Sequence, residues 1–250
     1  MKHFFAFVFI LFPLLGHAQE EDDFMAGRPG VTGSVDVLPK GRLQWETGLG
    51  YEYSKFDGLK ESTWTLNSSS LRWGIGHQVE LDFNIDGCYT KLEDTHFSGV
   101  SGMSVGAVVR LFDGWKALPV ISFCGSLLLP GSKDSHYLPE NIGSQMSIVF
   151  NNQLTEMLSL DYDLGLKWED DPRAEVFWGA ALTAQLTPVF GFLVEEYNTN
   201  HRDGTDCWMG LGAFARLNSR MQMDIGTNLN LKHMGKYHDV SIGLVWQLTK

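Results

Sequence analysis

Three stretches of this 250-residue chain carry side chains of the kind that do chemistry. DTHFSGVSG, residues 94–102, sets His96 near Ser98 and Ser101. Hydrolysis by a serine needs such a base within hydrogen-bond reach and a third group to orient the imidazole. The stretch supplies no such third group and is expected to be an exposed loop. His233 and His238 flank Lys236 and Tyr237, too few ligands for a metal without help from elsewhere. NTNHRDGTD, residues 198–206, is oxygen-rich like a calcium loop, but counting back from Gly204 puts Thr199 and His201 where carboxylates belong. Asn67-Ser68-Ser69 is a glycosylation sequon of the kind that arises by chance. These stretches give no reason to expect a catalytic residue, a metal or a cofactor, and a hydrolase built on His96 is the weakest reading of the chain.

The charged residues obey a different rule, recurring at every second position of long alternating stretches. Arg42, Glu46, Glu52, Arg72, Glu80, Asp82, Asp86, Arg110, Asp161, Asp163, Glu169, Arg216 and Asp224 stand on polar registers whose intervening positions are apolar. Strand side chains point alternately to opposite faces, so these residues are expected to line one face and the apolar ones another. In Arg42 to Tyr53, Leu43, Trp45, Thr47, Leu49, Tyr51 and Tyr53 take one side while Arg42, Gln44, Glu46, Gly48, Gly50 and Glu52 take the other. Val79 to Asp86 and Leu158 to Glu169 alternate as cleanly.

Further strands are expected near 62–75, 103–111, 117–129, 142–150, 176–186, 189–197, 207–217, 221–231 and 240–248, about twelve in all, each roughly the 10 to 12 residues a tilted strand needs to cross a bilayer. An even count with short and long connections in alternation predicts an all-β, antiparallel transmembrane β-barrel. Both termini and short turns near 76, 114, 152, 188 and 218 are then periplasmic, and long loops near 57, 94, 135, 171, 202 and 235 extracellular. Trp45, Trp73, Trp115 and Trp246 map to one rim and Trp64, Trp168, Trp178 and Trp208 to the other, as aromatic belts would. Trp64 and Trp208 fall on polar registers. In the second strand Trp64 and Leu66 are out of parity with Leu71 and Trp73, which a β-bulge or a part of the strand above the membrane would explain.

Residues 1–18 read as a cleaved signal peptide: Lys2 and His3, an apolar run from Phe4 to Leu15, then Gly16, His17 and Ala18 before a cleavage ahead of Gln19. Residues 19–40 open on an acidic cluster, gather Gly and Pro without periodicity, and are expected to be an irregular periplasmic or lumenal segment; residues 41–250 form the barrel. After residue 18 no apolar run reaches the roughly 18 residues of a membrane helix. Losing Lys2 leaves 18 basic against 30 acidic residues, a net charge of −12 that argues against nucleic acid as a partner. Cys88, Cys124 and Cys207 are simplest as free thiols, with a Cys88 to Cys124 bridge the alternative in an oxidising compartment. A secreted β-sandwich or lipocalin-like barrel is the competing fold, but turning Leu, Trp, Tyr and Met inward on nearly every strand would demand a core too large for strands this regular. The C-terminus carries Trp246 and Leu248 like an insertion signal yet ends in Gln, Leu, Thr, Lys rather than on an aromatic residue.

RPG at Arg28 to Gly30, followed by LPKGRLQWETG from Leu38 to Gly48, resembles the start of the bacterial outer-membrane barrels of the MetA-pathway phenol-degradation family. The resemblance implies a transporter associated with uptake of small aromatic or apolar compounds. From the strand pattern alone the expectation is an outer-membrane channel or transporter for small solutes, meeting outer-membrane lipid and, during insertion, the barrel-assembly machinery. A structural or adhesive barrel with a closed lumen is the alternative. With Glu52, Asp86 and Glu169 poorly matched by basic residues on their register, the outer vestibule is expected to be negative.

Overall fold

The computed structural model describes residues 24–56, 59–131, 137–202, 204–233 and 235–249. The expected signal peptide lies outside the described residues. Twelve strands follow one another: β1 Leu43–Phe56, β2 Leu59–Gly74, β3 Val79–Leu92, β4 Thr95–Phe112, β5 Val120–Leu128, β6 Gly143–Gln153, β7 Leu158–Trp168, β8 Glu175–Gln185, β9 Phe190–His201, β10 Gly204–Asn218, β11 Met221–Asn230 and β12 Tyr237–Gln247. Each pairs antiparallel with its neighbours, and β1 pairs with β12 from Gln44 opposite Gln247 to Ser54 opposite Tyr237, so the sheet closes on itself. This is the expected fold, and closure leaves no free edge.

The burial is inside out. Leu49, Leu164 and Ile225 are at least half exposed on the outer wall. Gln44, Glu80 and Ser122 are fully buried on the inner one. Such an arrangement is stable only if the outer wall meets lipid rather than water. Apolar burial is instead concentrated in the lumen, where Phe24, Val35, Val37 and Leu38 of the segment before β1 pack inside the wall.

The parity break in β2 is a bulge. Gly48 faces Ser68 but Gly50 faces Thr65, and Asn67 faces Gly87 while Thr65 faces Cys88, so Leu66 is the extra residue. One inserted residue exchanges the faces of everything beyond it. Trp64 thereby turns outward, 4.5 Å from the ring of Tyr51. Trp208 does not: its ring lies 5.9 Å from Tyr197 and 4.5 Å from Tyr237, both on the lumenal register, so it belongs to the inner wall and not to the outer belt.

The connections near 57, 94 and 202 are not the long loops expected. Two residues separate β1 from β2, β3 from β4 and β9 from β10, because these strands continue pairing as hairpins past the apolar band. Polar pairs hold the extensions, such as the Thr63 and Thr90 hydroxyls at 2.8 Å. At the opposite end, where both barrel termini lie, a Gln-Leu-Thr sequence recurs three times. The Gln side chain donates to the Thr carbonyl two residues on at 153–155, 185–187 and 247–249, at 2.6, 2.6 and 2.9 Å. In the first two, the Thr hydroxyl accepts the N–H groups of the turn; in the third it accepts the N–H of Leu43 at 2.8 Å and so ties the last strand to the first.

Candidate functional site

Residues 24–38 make a circuit of the lumen. Taken backwards from β1, the Leu38 N–H donates to Glu80 of β3 at 2.6 Å, and the Val35 carbonyl accepts from Arg110 of β4 and Ser122 of β5. The Gly33 N–H donates to Asp163 of β7 at 2.9 Å. Glu195 of β9 collects the N–H groups of Val31 and Thr32 and the Thr32 hydroxyl at 2.9 to 3.0 Å. Arg28 pairs with Asp224 of β11 at 3.2 Å, and the Gly27 N–H donates to Glu46 of β1 at 3.0 Å. A segment without periodicity has backbone groups that must find partners elsewhere, and here the inward carboxylates accept them.

Glycines give this segment room. At Gly48 and Gly243 an added Cβ would fall within 3.0 Å of the Arg28 guanidinium, and at Gly212 within 3.0 Å of the Pro29 ring. Side chains there would push the segment off the wall.

The inward charges mostly gather at the end that carries the termini. Arg72 donates to Glu80 at 2.6 Å and to Glu46 at 2.9 Å, and all three are buried, so one guanidinium is shared by two carboxylates in the barrel floor. Asp82 stands two residues along β3 from Glu80, on the same face. Arg110 lies 4.0 Å from Asp36 and 3.5 Å from Asp113. Asp161 accepts from Asn151 at 2.8 Å, and Arg216 donates to the Phe24 carbonyl at 3.4 Å. Arg42 precedes β1, its carbonyl accepting from Gly74 at 2.9 Å. Glu52, Asp86 and Glu169 stand apart from this cluster; Glu52 faces Asp239, Asp86 faces Gly102, and Glu169 pairs with Lys167 at 3.0 Å.

Two cavities flank the segment. One of about 340 Å³ lies beside Glu46, Arg72, Glu80 and Asp82, and another of about 300 Å³ beside Asn151, Asp161 and Arg216. Gly27, Ser34 and Asp36 line both.

No protein-family model and no curated protein matches this sequence. Among solved structures, the chain is similar to an outer membrane channel from Pseudomonas putida F1, with a TM-score of 0.69 at 14% identity over 88% of this chain and 100% of that one. It is also similar to the NanC porin, with a TM-score of 0.55 at 10% identity over 82% and 100% of the two chains. A KdgM porin in complex with disordered oligogalacturonate gives 0.51 at 10% identity, over 81% and 99%. The fold is that of a bacterial outer-membrane barrel.

Several residues of this outer-membrane barrel's lumen escape a reading of periodicity. Glu195 is one, because Glu195-Glu196 places the same residue type on both faces of β9; Glu195 is buried inward and Glu196 exposed outward. Arg28 is another, lying outside any strand. The stretch around His96, expected to be an exposed loop, is instead the first part of β4, which keeps pairing with β3 as far as Thr95. His96 Nδ1 meets the Tyr89 hydroxyl at 2.9 Å and its ring stacks on Tyr89, on the outer side of the wall, so the imidazole is engaged by tyrosine rather than by Ser98 or Ser101. The cysteines are free thiols. Cys88 faces Gly99 of β4 and Cys124 faces Val108, nine residues further along that strand, roughly 30 Å at about 3.3 Å per residue, which rules out a bridge.

Proposed function

We propose that the chain is an outer-membrane channel for small solutes, with residues 24–38 forming the constriction. The observation that carries this reading is the pair of cavities that meet at Gly27, Ser34 and Asp36 inside a polar wall. A lumen with space on both sides of the segment at these three residues suits restricted passage. The similar solved structures, a channel and two porins, support the same class. In this reading the barrel resides in the cell outer membrane after export by its signal peptide, contacts lipid along its apolar band, and is inserted by the barrel-assembly machinery. The Arg28 to Gly48 resemblance extends the solute class to small aromatic or apolar compounds. The structural reading, a barrel sealed for scaffolding or adhesion, draws on the Glu46–Arg72–Glu80 network, which would close a lumen as well as line one.

Reconstitution in planar bilayers separates the two. A channel gives discrete conductance, and deleting residues 19–29 raises it, because Arg28 and Gly27 are the segment's anchors to β11 and β1. A silent bilayer with both full-length and shortened protein would establish the sealed barrel. An open full-length pore whose conductance is unchanged by the deletion would place the constriction elsewhere.

A further inference from the structure

At the outer end of the lumen, above the constriction, three aromatic rings and two carboxylates share the inner wall. Tyr197 and Trp208 are cross-strand neighbours on β9 and β10, stacked with 3° between their planes, and Tyr237 of β12 stands at 78° to Trp208, 4.5 Å away. Two nearly perpendicular aromatic walls make a corner. Glu52 and Asp239 face one another across β1 and β12, beside the Tyr237 hydroxyl. Asp239 is fixed by Asn228, whose backbone and side-chain N–H groups donate to it at 2.6 and 2.8 Å. Among the described residues no lysine or arginine forms an ion pair with Glu52 or Asp239, in contrast to Glu46, Glu80 and Asp224 below.

Beneath this group lies a chamber of about 230 Å³. Gly50 and Ser241, two residues below Glu52 and Asp239 on their strands, are in its wall, as are Gly212 and Gly226; Pro29 and Val31 of the N-terminal segment line it from the segment's side, together with Arg28, whose charge Asp224 takes up, and Glu195, which the N–H groups of residues 31 and 32 engage. A cavity of about 150 Å³ lined by apolar groups already admits benzene. The chamber therefore has room for a ring or a short alkyl chain, under a roof of π faces and uncompensated negative charge.

From this arrangement we infer that the outer vestibule holds a binding site for small organic cations, with an ammonium group against Trp208, Tyr237 and Glu52 and its aryl or alkyl portion in the glycine-walled chamber below. Aromatic faces attract cations through the ring quadrupole, and a carboxylate pair without a basic partner supplies the remaining charge. Neutral sugars also stack on aromatic rings, but they would leave both carboxylates uncompensated. The site depends on the channel reading only for its role as a solute station; occupancy itself does not require conduction.

The test is calorimetric titration of the full-length protein in detergent with phenylethylammonium, in parallel with neutral phenylethanol, glucose and calcium chloride. Saturable binding of the ammonium compound alone is expected, weakened on the order of tenfold by Trp208→Leu and again by Glu52→Gln. Variants that keep their heat-dependent shift on gels are folded, and Tyr237→Phe, which retains the ring, loses less than Trp208→Leu. Equal binding of phenylethanol would reduce the site to an apolar pocket, glucose binding in place of the amine would make it a sugar site, and calcium as sole ligand would make it a mineral site. Each of these results, or no binding, overturns the inference. Binding without conductance leaves the site standing and removes the channel; conductance without binding does the reverse.

Discussion

Glycine 165 shows how the inner wall is packed. A Cβ there would meet the Phe177 ring at 2.1 Å and the Met146 carbonyl at 2.6 Å, and Gly191 accommodates Phe214 at 2.2 Å in the same way. An aromatic ring laid over a strand glycine covers backbone that would otherwise lack contacts. Position 165 is consequently no neutral lumenal site, although its polar register alone would suggest one. Both Gly165→Ser and its lipid-facing neighbour Leu164→Arg are expected to impair folding: the first by about 1 to 3 kcal/mol through overpacking, the second by about 2 to 4 kcal/mol through a charge near the bilayer midplane. Urea unfolding of the refolded variants measures both, and a Gly165→Ser protein as stable as the parent would show that Phe177 can swing away. Arg72 is the more exacting case. Arg72→Met leaves Glu46 and Glu80 buried without their cation, and the expected loss is about 3 to 5 kcal/mol by the same assay.

The connecting elements differ by end. On the side of the termini, turns are short and locked by the repeated Gln-Leu-Thr arrangement, and its third copy ties the end of β12 to the start of β1. On the outer side, the loop before β6 is clasped to the loop after β7. Asp170 accepts the N–H groups of Glu140 and Asn141 at 2.9 and 3.0 Å and the Asn141 side chain at 3.1 Å. Those donors, the Glu140 N–H foremost, hold its carboxyl below the usual 3.8. The folded form thus keeps its charge where an unclasped loop would take up a proton. The clasp's contribution is complete above the ordinary value and is lost as pH falls through the lowered one. Pepsin nicking between residues 131 and 141 should begin at lower pH in the parent than in Asp170→Asn; equal onset in the two would disprove the clasp.

Across the whole molecule the charges divide by depth. Near the terminal end Glu46, Glu80, Asp36 and Asp224 are paired with Arg72, Arg110 and Arg28, while among the described residues Glu52, Asp86 and Asp239 nearer the outer mouth form no ion pair. Unmatched charge in a confined mouth concentrates counter-ions. A weak cation preference is expected in a salt gradient, shrinking at high ionic strength as the Debye length falls toward about 3 Å at 1 M. Glu52→Gln and Asp86→Asn should diminish it. Adding Glu169→Gln should contribute less, since Lys167 already offsets that charge at 3.0 Å. Anion selectivity, or indifference to the three changes, would contradict this assignment of the vestibule.

Strand number, the antiparallel barrel and the two faces were determined by the sequence, because alternation is local: each residue's side is set by its neighbours once one face meets lipid and the other a polar interior. Even the β2 bulge left its mark, as a parity break between Leu66 and Leu71. Which groups share the lumen was decided only by closure. Arg28 and Asp224 are 196 residues apart, and Glu195 meets residues 31 and 32 only because β9 has been carried around the wall to them. Trp208 was misplaced for the related reason that an aromatic residue suits an interfacial belt and a lumenal π cluster equally, so its register, and not its type, had to decide. Hydrophobic period is a property of one strand, whereas pairing a buried charge depends on which strands stand opposite, and that information exists only once the sheet has closed.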